Sequence, residues 1–165
     1  ALLASQCTLT QDTILLDVCC GTGTIGLAMA SKVRKVIGIE SCVEAVVDAQ
    51  QNARLNGIAN ATFVAAKAES GLSRILEGLS EAEKGHLVAI VDPPRAGLHP
   101  AVLKALRECT PLRRLLFVSC HVPGFVSNAV DLCKPIASSA AAVAGAPFAP
   151  VRAFPVDLFP DTRHC

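Results

Sequence analysis

The sequence has no tryptophan, no tyrosine and only six phenylalanines in 165 residues. Proteins that grip a single-stranded nucleic acid unaided stack its bases on aromatic rings along a basic groove. Here rings are scarce and the formal net charge is +1, so such a substrate would have to be held mainly by regions outside these residues. No apolar run reaches the roughly eighteen residues of a membrane span before a charge, Gly or Pro interrupts it. Ala1-Leu2-Leu3-Ala4 lacks a basic leader and a full apolar core, so it is not read as a signal peptide. It reads instead as the end of a helix ahead of the first strand, within one domain over 1–165 that is a piece of a longer chain. Also missing are any C-x-x-C pair among the eight cysteines and any His at ligand spacing, so no metal site is expected. Several thiols lie in apolar segments, as in proteins of a reducing compartment, the cytoplasm or nucleus.

What is present is a strand-turn-helix pattern. The apolar run Ile14-Leu15-Leu16 leads to Asp17, followed by Cys19-Cys20-Gly21-Thr22-Gly23-Thr24-Ile25-Gly26. Gly21 and Gly23 permit a tight turn and close backbone approach to a ligand, and Gly26 lets a helix opening at Thr24 pack against the strand. G-x-G-x-x-G alone is the dinucleotide pattern and is weak. Asp17 discriminates, because a carboxylate just before the glycines repels a pyrophosphate. It complements S-adenosylmethionine, which carries an ammonium and a sulfonium.

Further along, 35–40, 61–66, 87–91 and 115–118 read as strands, with 151–159 a sixth broken by Pro155. Helices are expected over 24–31, from Val43 to the Asn56-Gly57 stop, around Leu72-Ile75-Leu76-Leu79, over 100–107 and over 125–133. Ser41 with Glu44 reads as a capping box, and 135–150 as loop. Strands alternating with helices predict an α/β Rossmann-like fold, a mainly parallel sheet with helices on both faces. Ligands then bind outside the carboxyl ends of the strands, where Asp17, Glu40, Asp92 and Cys120 all fall.

Glu40, about twenty residues past the glycines, is placed to accept hydrogen bonds from ribose hydroxyls; a helix-capping charge is the plainer alternative. Glu69 approaches the adenine or is simply a solvated acid at a helix start. Asp92-Pro93-Pro94-Arg95 is a stiff corner. Related Asn/Asp-Pro-Pro-aromatic corners hold an amino group in many S-adenosylmethionine enzymes. Arg95 in the aromatic position suits an oxygen-rich or anionic substrate instead. Cys120 is a small hydrophobe or, beside His121, a thiol whose thiolate fraction is raised.

Together the segments Leu15 to Gly23, Ile37-Gly38-Ile39-Glu40, Asp92 to Leu98, Val118-Ser119-Cys120 and Asp157-Leu158-Phe159-Pro160 resemble the uracil-5 RNA methyltransferase family. The resemblance implies an S-adenosylmethionine-dependent enzyme acting on RNA, tRNA by preference, with Cys120 as nucleophile. C5 of uracil is a poor nucleophile, so a thiolate first adds at C6 and generates an enolate carbon that takes the methyl group. A base then removes the C5 proton and the thiol departs. By position, Cys19, Thr24, Glu40 and Asp92 fall where the family contacts the cofactor, and Arg95 helps hold the target base or its backbone.

Two departures stand out. The family's Ser-Cys-Asn-Pro is here Ser119-Cys120-His121-Val122. The family's general-base Glu and last strand would follow the Asp-Leu-Phe-Pro segment, about where the sequence stops, so poor turnover by these residues alone is expected. Two other readings compete: an S-adenosylmethionine-binding module without catalysis, acting as an interaction domain, and an NAD-dependent oxidoreductase, which Asp17 disfavours.

Overall fold

Five apolar runs become five parallel strands in a computed structural model that describes residues 8–135, 145–157 and 160–161. In chain order the elements are β1 (Ile14–Val18), α1 (Thr24–Met29), β2 (Lys35–Glu40), α2 (Val43–Leu55), β3 (Ala61–Ala65), α3 (Ala68–Gly78), α4 (Glu81–Lys84), β4 (Leu87–Val91), α5 (Pro100–Glu108), β5 (Arg114–Phe117) and α6 (Val122–Cys133). The strand order is β3-β2-β1-β4-β5 and every pairing is parallel. The chain winds outward from β1 to β3, then crosses back to β4 beside β1. The seam between β1 and β4 is therefore the switch point, at whose carboxyl end such sheets bind ligands.

β1 and β4 are buried at every position, because helices cover both faces of the central strands. The period of two sorts their side chains. Ile14, Leu16 and Val18 join Ile37, Ile39, Ala89 and Val91 on the face covered by α3, α5 and the end of α6. Leu15 joins Val36, Val88 and Ile90 on the opposite face, under Met29 of α1. Phe63 of β3 packs with Val46, Ala49 and Ala53 of α2.

The predicted strands and the main helices are present, with four differences. Residues 151–157 form no strand; Val151, Phe154 and Val156 are exposed, and Pro155 has no N–H for a ladder. Leu158 and Phe159 lie outside the described residues, as do Ala1 to Ala4. The Ser41–Glu44 capping box does not form, since Cys42 is the N-cap of α2 and the Ser41 hydroxyl donates to Glu40 instead. A capping box does form where none was expected, between Ser80 and Glu83 at the start of α4. Helix α6 begins at Val122 rather than Phe125, because His121 caps it and Pro123 fits its first turn. No helix among the described residues is long and apolar enough to cross a membrane.

Candidate active site

Asp17 lies one residue inside β1 and shares the face of Leu15, so its side chain points beneath α1. It is fully buried. The carboxylate expected at the strand end is thus one position inside it. Oδ2 accepts the Gly26 N–H at 2.8 Å, while Oδ1 has no hydrogen-bond partner among the described residues. Burial pushes the carboxyl up to about 6, against the pull of the Gly26 bond and with a push from Asp92. Gly26 is required by this contact, since a Cβ there would lie 2.8 Å from Oδ2. Gly23 has φ 81° and closes the turn by donating to the Cys20 carbonyl at 2.8 Å. Thr24, exposed, opens α1 with its hydroxyl 3.3 Å from that of Thr22.

Glu40, at the end of β2, is tied to the same turn. Its Oε2 accepts the Gly21 N–H at 3.1 Å. Its Oε1 accepts the N–H groups of Ser41 at 2.7 Å and Cys42 at 2.9 Å, and the Ser41 hydroxyl at 3.0 Å. Partial burial alone would raise its pKa. The donors of Cys42, Gly21 and Ser41 outweigh burial and hold the carboxyl below its ordinary value, so it stays ionised. Glu40 thus orders the glycine turn and the N-terminus of α2 together.

Between these groups lies a cleft of about 320 Å³ walled by Cys19, Ile39, Glu40, Ser41, Ala66, Ala68, Asp92 and Pro94. It spans the carboxyl ends of β3, β2, β1 and β4. Cys19 sits in its wall at φ 62°. Burial raises the Cys19 thiol to about 11, assisted by the fields of Glu40, Asp17, Asp92 and Glu69. Two carboxylates, Glu40 and Asp92, stand in the wall of the cleft and make this an acidic pocket. Asp92 is exposed at its edge, and burial of part of its surface raises its carboxyl as well. The space is small but within the range of ligand sites, and its charge suits a cation.

Arg95 and Cys120 do not wall this cleft. Both are exposed. Cys120 stands in the turn after β5, two strands from β1, which places it roughly 10 Å along the rim. The turn is fixed by the Ser119 hydroxyl, which accepts the His121 N–H at 3.1 Å. An edge-to-face pair, Phe117 against Phe125 at 5.3 Å, closes it from below. His121 Nδ1 accepts the Gly124 N–H at 3.3 Å. The imidazole thus caps the N-terminus of α6. One residue escaped sequence reasoning altogether: Asn128 of α6, buried, which bonds both backbone groups of Leu98. Thirty positions separate the pair, and no local pattern signals it.

Comparison with known proteins adds the following. The sequence pattern of the family tRNA (Uracil-5-)-methyltransferase matches residues 2–144. Over 157 residues the chain is 50% identical to tRNA (uracil-5-)-methyltransferase homolog A of Homo sapiens, covering 95% of this chain and 24% of that protein. It is 44% identical over 156 residues to homolog B of the same species, covering 94% of this chain and 30% of the relative. The chain thus spans about a quarter to a third of the length of these relatives. Among solved structures, Pyrococcus abyssi tRNA (uracil-54, C5)-methyltransferase in complex with S-adenosyl-L-homocysteine matches with TM-score 0.58 and 31% identity, over 77% of this chain and 29% of that one. An rRNA methylase from Streptococcus thermophilus, TM-score 0.57 at 17% identity over 74% of this chain and 71% of that one, shares the fold alone.

Proposed function

The chain belongs to the tRNA (uracil-5-)-methyltransferase family, and on that footing we propose that it is the catalytic domain of an S-adenosylmethionine-dependent tRNA uracil-C5 methyltransferase. We take residues 1–165 as one such domain of a longer protein, working in the cytoplasm or nucleus with most RNA contacts made elsewhere. The observation that carries the cofactor assignment is the cleft at the carboxyl ends of the strands, whose wall sets the carboxylates of Glu40 and Asp92 beside Cys19. An acidic pocket attracts a sulfonium and an ammonium and repels a pyrophosphate.

When bound, S-adenosylmethionine supplies an electrophilic methyl group. Glu40 and Asp92, with Cys19 and the turn from Gly21 and Gly23 to Thr24, would hold it. Asp17 works from beneath, steadying α1 through Gly26 and adding negative potential. The Cys120 thiol, exposed on the same rim, attacks C6 of the uracil once ionised. Arg95, exposed in the corner after β4, would hold carbonyl or phosphate oxygens of the target.

Trapping tests this on the full-length protein. RNA carrying 5-fluorouridine at the target position blocks loss of the C5 substituent. A covalent protein–RNA adduct is expected with S-adenosylmethionine present, and its complete loss is expected in Cys120→Ser. A second reading, a cofactor-binding module without catalysis, draws on His121, whose Nδ1 accepts the Gly124 N–H at the start of α6. An intact chain that binds cofactor and RNA without forming the adduct would favour that module.

A further inference from the structure

The Asp92–Leu98 corner and the Cys120 turn belong to different strands, yet they are not independent. Asn128 Oδ1 accepts the Leu98 N–H at 2.6 Å, and its Nδ2 donates to the Leu98 carbonyl at 3.3 Å. Gly97, at φ 81°, leaves no room for a side chain, since a Cβ there would meet Asn128 Oδ1 at 2.5 Å. The corner folds on itself through the Gly97 N–H, which donates to the Pro94 carbonyl at 2.8 Å. One helical turn before Asn128, on the same face of α6, Gly124 lies against the Arg95 backbone. A Cβ at Gly124 would come within 2.7 Å of the Arg95 carbonyl oxygen. Gly124 is also the residue capped by His121, next to Cys120.

One face of α6 therefore grips the Arg95 corner at two points while its N-terminus fixes the thiol turn. We infer that Asn128 is a positioning residue that locks the Arg95 corner to the Cys120 turn, so that the group holding the target base and the attacking sulfur keep a set separation. Asn fits because a single buried amide answers both the backbone donor and the backbone acceptor of one residue, Leu98. Leucine of similar size would leave both unsatisfied. The inference rests on the assignment of Cys120 as nucleophile and Arg95 as substrate ligand, and it goes beyond that assignment by coupling the two.

Two readouts separate its failure from the failure of that assignment. In the full-length protein, Asn128→Leu is expected to slow adduct formation with 5-fluorouridine RNA by on the order of tenfold to a hundredfold, with RNA affinity changed by less than about twofold. Asn128→Asp, which keeps the acceptor for Leu98 N–H and loses the donor, should fall between and guards against a variant that does not fold. Amide hydrogen exchange is read on the same proteins without any chemistry. Loss of Asn128 should raise exchange at Arg95 to Leu98 and also at Ser119 to Gly124, leaving β1 and β2 protected. Exchange that rises at the corner alone overturns the coupling, and so does an adduct rate unchanged in both variants. If the unaltered protein forms no adduct, the nucleophile assignment falls, and the exchange pattern still decides whether Asn128 joins the two loops.

Discussion

The two halves of the rim are built in opposite ways. On the β1–β2 side, Asp17 and Glu40 are drawn into the fold, with Glu40 bonded to the glycine turn and Asp17 to Gly26 of α1. On the β4–β5 side, Asp92, Arg95 and Cys120 stand exposed, steadied from behind by α6. The difference follows from where each residue sits relative to its strand. Asp17 is inside β1, whose two faces are both covered, so its carboxylate must enter the protein. Arg95 and Cys120 come after their strands end, where side chains reach solvent. The lesson is that the donor half is preformed and electrostatically tuned, and the half that would meet a macromolecule is open and fixed only through its backbone.

The largest effect that can break this contrast is the pH dependence of Asp17. Its carboxyl is raised to about 6 in the folded protein from 3.8, so the folded state holds the proton more tightly than the unfolded chain. This contribution is fully present below the unfolded value and is lost as pH rises through the folded one. Denaturant unfolding across pH 4 to 7 should show Asp17 withdrawing up to about 3 kcal/mol over that window. Asp17→Asn should remove that slope. An unchanged slope would mean that the carboxylate is solvated and the donor half is not tuned by burial.

Next in size is Gly26→Ala. Its Cβ would lie 2.8 Å from Asp17 Oδ2 and 2.8 Å from Val36 Cγ1. Overpacking of this kind costs about 1–3 kcal/mol, and the better helix propensity of alanine returns about 1 at most. A net loss of stability is expected in calorimetry, together with weaker binding of S-adenosylhomocysteine. Alkylation of Cys120 should proceed at its original rate, because the thiol belongs to the other half.

A smaller effect sharpens the contrast by chemistry alone. Burial and the surrounding carboxylates raise the Cys19 thiol to about 11 and that of Cys20 to about 12, whereas Cys120 and Cys42 are exposed. Mass spectrometry after brief iodoacetamide treatment at pH 7.5 should find Cys120 and Cys42 modified at least about tenfold faster than Cys19 and Cys20. Equal rates would show that the two halves are equally open.

Much of this arrangement was legible in the residues themselves. Ile14-Leu15-Leu16 and Leu87 to Val91 are continuous apolar runs, as strands buried on both faces must be. Their alternation with helical patterns left few topologies. The burial of Asp17 was also within reach, since residues two apart share a face and Leu15 is core. The rim positions of Glu40 and Asp92 followed from strand ends, but one of the four hydrogen bonds to Glu40 comes from Gly21, in a turn nineteen residues away. Asn128 had no local signature, because its value lies in the backbone of Leu98, on another loop. Of the strand expected over 151–159, residues 151–157 form none, because apolar alternation met Pro155 and backbone chemistry outweighed the pattern.

Titration calorimetry at pH 7 tests most directly whether the acidic cleft holds a cationic methyl donor. S-adenosylmethionine should bind this chain with saturable heat, raising its Tm by the amount that linkage requires, about 2.7 kcal/mol of stabilisation at a hundredfold excess over Kd, and NAD should give no binding heat. Saturable binding of NAD with none of S-adenosylmethionine would contradict the account at its base.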